Sequence, residues 1–188
     1  MYAHAHAQTP VDGRRPARPP GHGNRYEVID GELFVTPAPS WKHQRAAAEL
    51  FRLVAEYLAR EPYADVLIAP ADVSFSWTRS VQPDLFVVPL VNGQRPNRFE
   101  DVGRLLLAVE ILSPSTARAD RVSKRVLFRD EGVNEYWVVD LDARTIERST
   151  PADARVDVIV DRIEWMVDGA SSSLVVDVAP NFTRVLDG

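Results

Sequence analysis

At 188 residues, 45% hydrophobic and 26% charged, the chain has the size and composition of one globular domain with its own core. The absence of cysteine excludes a disulfide framework, a thiol nucleophile and thiolate-held zinc, and suits a reducing cytoplasm. A formal net charge of −5 argues against nucleic-acid binding by bulk electrostatics, although a site for divalent cations must itself be acidic.

Residues 1–24 are rich in Pro, Gly, Ala and His without hydrophobic period, and are read as a disordered tail ahead of a single domain over 25–188. Up to Arg25 its charges are Arg14, Arg15, Arg18 and Arg25 against Asp12, and His4 and His6 lack companions to complete a metal site. This start lacks the apolar run of a signal peptide, and no stretch reaches the roughly 18–20 apolar residues of a bilayer span. A soluble cytoplasmic protein with no membrane partner is expected.

Tyr26 to Val35 reads as two short strands around Asp30-Gly31, a pair suited to a tight hairpin turn. A helix follows from about Ser40 to Arg60, where Ala47, Leu50, Phe51, Val54 and Leu58 make one apolar face, and Pro62 ends it. Strand patterns recur at Val66–Ile68, Val73–Trp77 and Asp84–Val88, and a polar loop spans Val91 to Asn97. Arg104 to Leu112 is almost wholly apolar, as in a central strand covered on both faces. A second helix is expected from about Thr116 to Glu131, closed by Gly132. Strands then follow at Glu135–Asp140, Thr145–Arg148, Val156–Val160 and Leu174–Val178. The order predicts an α/β fold: a mixed central sheet flanked by helices, with an N-terminal β-hairpin.

Three features carry chemistry. Asp84 follows Pro83 at the head of an apolar strand, and Glu110 ends the run Leu105-Leu106-Leu107-Ala108-Val109. Lys124 lies one helical turn after Asp120. An ionised carboxylate at the end of a buried strand is costly unless paired or bound to metal. Two such acids raise each other's pKa, and a divalent cation relieves the repulsion and couples naturally to phosphate chemistry. On the residues alone, Asp84 starting a turn and Glu110 pairing with a nearby arginine also account for them. By helix geometry alone Asp120 and Lys124 form an exposed ion pair worth a few tenths of a kcal/mol. The same helix carries Arg118, Arg121, Arg125 and Arg129 with Lys124 against three acids, either a solvated face or a phosphate-facing one.

Pro83-Asp84 followed by Val109-Glu110-Ile111-Leu112 resembles the bipartite motif of the PD-(D/E)XK nuclease superfamily. The longer pattern is more specific. Tyr26-Glu27-Val28-Ile29-Asp30-Gly31-Glu32-Leu33, Pro39, His43, Val109 to Thr116, Asp120, Lys124 and Gly132 to Asp140 together resemble the Uma family of restriction-endonuclease-like proteins. The likeness covers roughly Tyr26 to Asp140. The third motif position, lysine in the superfamily, is Leu112 here, and Lys124 on the next helix takes its place; Phe128 stands where a tyrosine is expected.

The resemblance implies a restriction-endonuclease-like fold and phosphodiester hydrolysis of DNA. It implies Asp84, Glu110 and the backbone carbonyl of Ile111 as ligands of Mg²⁺ or Mn²⁺, and Lys124 as the group that orients water and offsets transition-state charge. Glu32 is an additional acid for metal or water, His43 either a neighbour of the site or a helix cap, and Arg118, Arg121 and Arg125 weak candidates for nucleic-acid contact. A homodimer is expected by analogy, since cutting two strands symmetrically needs two sites. The alternative is a catalytically silent binding module that kept the fold, an accessory of a mobile element or toxin system. A serine hydrolase built on Ser113 or Ser115 would lack a base, since no histidine follows His43.

Overall fold

The computed structural model describes residues 24–187, so the expected tail, with His4 and His6, lies outside the described residues. Strands β1 (Arg25–Ile29) and β2 (Glu32–Thr36) pair antiparallel about Asp30-Gly31, both at positive φ (50° and 83°) as the tight hairpin turn requires. Helix α1 (Trp41–Arg60) is capped by Ser40, whose hydroxyl accepts from the His43 amide at 3.3 Å, and buries Ala46, Ala47, Leu50, Val54 and Tyr57.

Next come β3 (Ala64–Ile68), β4 (Val73–Ser76), β5 (Arg79–Val81), β6 (Leu85–Pro89) and β7 (Leu107–Ile111). A helical crossover then runs through a π-helical turn at Ala119–Lys124 into α2 (Arg125–Asp130). The chain ends in β8 (Glu135–Asp140), β9 (Thr145–Ser149), β10 (Asp157–Ile159), β11 (Arg162–Trp165), β12 (Leu174–Asp177) and α3 (Val178–Leu186).

The mixed central sheet has the order β10-β9-β8-β7-β6-β3, with β7 and β8 parallel and every other pair antiparallel. Parallel neighbours require a crossover, and the π-turn and α2 supply it. A four-stranded sheet, β2-β1-β5-β4, and the β11–β12 pair complete the fold. Among the described residues no helix is long and apolar enough to cross a membrane.

Side chains alternate between the two faces of the central sheet. Leu85, Val87, Leu107, Val109, Trp137 and Val139 point one way, into a core shared with α1, β11, β12 and α3. Phe86, Val88, Ala108, Tyr136 and Val138 point the other way, against α2 and the four-stranded sheet. Glu110 follows Ala108 by two and so belongs to this second face, and Asp84 precedes Phe86 by two. The β6–β7 register pairs Leu85 with Val109, and carried one residue further it sets Asp84 opposite Glu110. The two acids therefore meet beneath β1 and α2.

Strands β5 and β11 are additions to the sequence reading, and two further segments depart from it. The expected strand through Val178 stops at Asp177 and α3 begins, because Pro180 falls in the first helical turn, where its missing N–H costs nothing. The second helix is wound as a π-turn through its middle instead of continuous α-helix.

Candidate active site

Burial is the first property of this centre. Asp84, Glu110 and Lys124 are each only 2% exposed, and Glu27, Asp120 and His43 are buried beside them. They border a cleft of about 640 Å³ whose wall runs from the α1 N-terminus to the Ser113–Ala117 turn.

Three carboxylates share one ammonium. Lys124 Nζ lies 2.9 Å from Glu110 Oε1, 2.9 Å from Glu27 Oε2 and 3.3 Å from Asp120 Oδ1. The expected exposed pair of Asp120 and Lys124 is thus overturned: the widened turn carries both inward, and the Tyr136 hydroxyl donates to the Asp120 carbonyl at 3.0 Å. π-turns of this kind are frequent at functional sites.

Asp84 is held by a different set. Its Oδ1 accepts from Arg25 Nη2 at 2.8 Å, and its Oδ2 accepts from the Ile111 amide at 2.8 Å and from His43 Nε2 at 3.0 Å. A second arm of Arg25 donates to the Gln82 carbonyl at 3.1 Å. Glu27 Oε1 accepts from the Gln82 amide at 2.8 Å, which fixes β1 against the strand that leads to Asp84.

The titration directions follow from these contacts. Burial pushes the Asp84 carboxyl up, but the His43 hydrogen bond and charge, Arg25 and the Ile111 amide outweigh it and hold it at about 2. Burial raises Glu110 well above the usual carboxylate range; Lys124 opposes that shift, while the charges of Asp84, Asp120 and Glu27 add to it. Asp120 is raised by burial too. Burial alone would discharge Lys124, yet Glu110, Glu27 and Asp120 keep it protonated. Four carboxylates thus stand against two permanent cations, Arg25 and Lys124, so the cluster has a surplus of negative charge.

That surplus is met either by protons or by a cation. Among the described residues, no three carboxylate or imidazole side chains are grouped to hold a metal ion. Asp84 and Glu110 with the Ile111 carbonyl remain a hard oxygen set, and Mg²⁺ is commonly held through one or two carboxylates with water and phosphate completing its shell. The residues fit such an ion in number and type.

Glu32 is not part of this assembly. It lies exposed on β2 opposite Ile29, and the buried acid of the hairpin is Glu27. Glu32→Ala is therefore expected to shift the urea midpoint by less than the equivalent of about 0.5 kcal/mol, checked by denaturation at neutral pH. Of the arginines proposed to meet nucleic acid, Arg118 is exposed. Arg121 is tied to Asp140 and Glu147 at 2.6 Å each, and Arg125 to Glu147 at 2.7 Å. Lys42, exposed on the first turn of α1 and lining the cleft, has no acidic partner among the described residues.

Comparison with known proteins agrees with this fold. A family model, Uma2, described as "Putative restriction endonuclease", matches residues 16–173. Among solved structures, that of "a putative nuclease belonging to DUF820" from Anabaena variabilis ATCC 29413 is similar, with a TM-score of 0.73 and 22% sequence identity over 89% of this chain and 94% of that one. At that identity the likeness is one of fold. No curated protein matches the chain.

Proposed function

The chain belongs to the Uma2 family, and on that footing we propose that it is a metal-dependent nuclease hydrolysing phosphodiester bonds of DNA. One observation carries this reading: a lysine with three buried carboxylates around it, next to an opposed Asp84–Glu110 pair at the wall of a cleft. A structural ion pair needs one acid, not three.

Asp84, Glu110 and the Ile111 carbonyl would hold Mg²⁺ or Mn²⁺, which when bound polarises a phosphoryl oxygen and lowers the pKa of water. Lys124 Nζ, kept cationic by its acids, orients the attacking water and offsets charge growing on the phosphoryl oxygens. Glu27 and Asp120 are positioning residues that keep Nζ beside Glu110. Water adds to phosphorus, the bond to the leaving sugar oxygen breaks, and the water's proton ends on that oxygen. Lys42 at the cleft rim is free to meet the DNA backbone, and two copies would serve two strands.

The test is nicking of supercoiled plasmid in Mn²⁺ by the wild type and by Asp84→Asn. Nicking that is lost on the substitution is the expected result. A second reading, a binding module without catalysis, draws on the engagement of Asp84 by Arg25, His43 and the Ile111 amide and on the pairing of Arg121 and Arg125. Plasmid bound but never nicked in either Mg²⁺ or Mn²⁺ would favour it.

A further inference from the structure

Arg25 is the charged group of this centre that the hydrolytic scheme leaves without a task. It opens β1, sits 19% exposed, and spreads its guanidinium between Asp84 Oδ1 and the Gln82 carbonyl. Asp84 has about four lone-pair directions. Arg25 takes one on Oδ1, and His43 with the Ile111 amide takes two on Oδ2. A divalent ion on Asp84 would lie a few ångströms from the guanidinium in a poorly screened interior, where like charges repel strongly. Lys124 cannot yield, since three acids hold its ammonium at 2.9, 2.9 and 3.3 Å. Arg25 lines the cleft, and its side chain has a route into it.

We propose that Arg25 is the exchangeable counter-ion of the acid cluster: it balances Asp84 until a divalent cation arrives, gives up Oδ1 to that cation, and turns its guanidinium into the cleft toward a substrate phosphate. The proposal rests on the metal-dependent reading above and assigns it a residue. A guanidinium fork matches phosphate oxygens as well as it matches a carboxylate. The cation that guards the acid in one state then becomes a substrate ligand in the other.

The experiment is a titration of the full chain with Mn²⁺ alone, free Mn²⁺ being counted by its electron paramagnetic resonance signal, for wild type, Arg25→Gln, Arg25→Lys and Asp84→Asn. Glutamine removes the charge and keeps a donor for the Gln82 carbonyl, and urea midpoints establish that each variant is folded; should Arg25→Gln fail to fold, Arg25→Met, also uncharged, takes its place with the same expected tightening. Arg25→Gln is expected to bind Mn²⁺ at least tenfold more tightly than wild type, Arg25→Lys within threefold of it, and Asp84→Asn far more weakly. A merely structural arginine predicts the opposite sign, since loosening the site weakens binding. Equal or weaker binding by folded Arg25→Gln, with wild type binding normally, overturns the exchange and leaves the metal reading intact. No uptake by any variant at millimolar Mn²⁺ overturns both. For Arg25→Met used as the substitute, affinity that fails to exceed wild type overturns the exchange.

Discussion

Replacing Lys124 by methionine is expected to destabilise the protein by about 3–5 kcal/mol at pH 7.5 and to abolish metal-dependent nicking. The cost arises because Glu27, Glu110 and Asp120 would be left facing one another without the ammonium that lies within 3.3 Å of all three. Methionine has nearly the length of lysine, so little of the loss would come from a cavity. The variant's stability should also depend on pH with a definite sign. Glu110 and Asp120 are already raised from ordinary values of 4.5 and 3.8, and without Lys124 they rise further. Acids that bind protons more tightly when folded favour the fold at low pH and cost it stability as the pH climbs from those ordinary values through the folded ones. Urea midpoints measured from pH 5 to pH 8 should therefore fall steadily in Lys124→Met. The wild type also contains Asp84, held at about 2, whose contribution is full above 3.8 and disappears as the pH drops from there toward 2. A flat pH profile for the variant would mean that the three acids are not electrostatically coupled through Lys124.

Glu110→Gln is expected to separate stability from activity. The amide removes one charge from a cluster with too many, and it keeps the volume and an acceptor for Lys124. Its melting temperature at neutral pH should equal or exceed that of the wild type, while plasmid nicking falls by at least the ~10²–10³-fold typical of losing one preorganised charge-stabilising group. A site that needs strained, uncompensated charge in order to work commonly gains stability when that charge is deleted. Differential scanning fluorimetry in chelator and nicking in Mn²⁺ check the two halves. A marked fall in melting temperature would show that Glu110 is first a structural partner of Lys124.

The two paired acids were legible because each abuts an unbroken apolar run, Leu85 to Val88 and Leu105 to Val109. Their face followed only from the strand register. Lys124 was recognisable by family resemblance and not by helix geometry, which assigned it with Asp120 to the surface; a π-turn has no composition that marks it. The sequence pattern does not single out Glu27 over Glu32. In Tyr26-Glu27-Val28-Ile29 both alternating sets contain apolar residues, so period two cannot decide which set is buried. The structure buries Glu27 and Ile29, and Glu32 follows the turn on the exposed strand. Arg25 adjoins the arginine-bearing leader in sequence, yet it is the first residue of β1. Strand β5 has Val81 as its sole apolar side chain, so no pattern marks it, whereas β11 does alternate, Arg162-Ile163-Glu164-Trp165, over only two periods.

Arg25, Glu27 and Ile29 share one face of β1, and the hairpin is what addresses them to the centre. Successive residues of a strand look in opposite directions, so a slip of one position would present Tyr26 and Val28 inward and turn the arginine and the acid out to water. Asp30 and Gly31, far from any reacting atom, set that choice through their positive φ angles. The two-residue turn thus works as an indexing pin for the charge balance of the centre. A substitution that forces Gly31 out of φ 83° would be felt first as a change of ionisation around Asp84 and Lys124, with the hydrophobic core still in place.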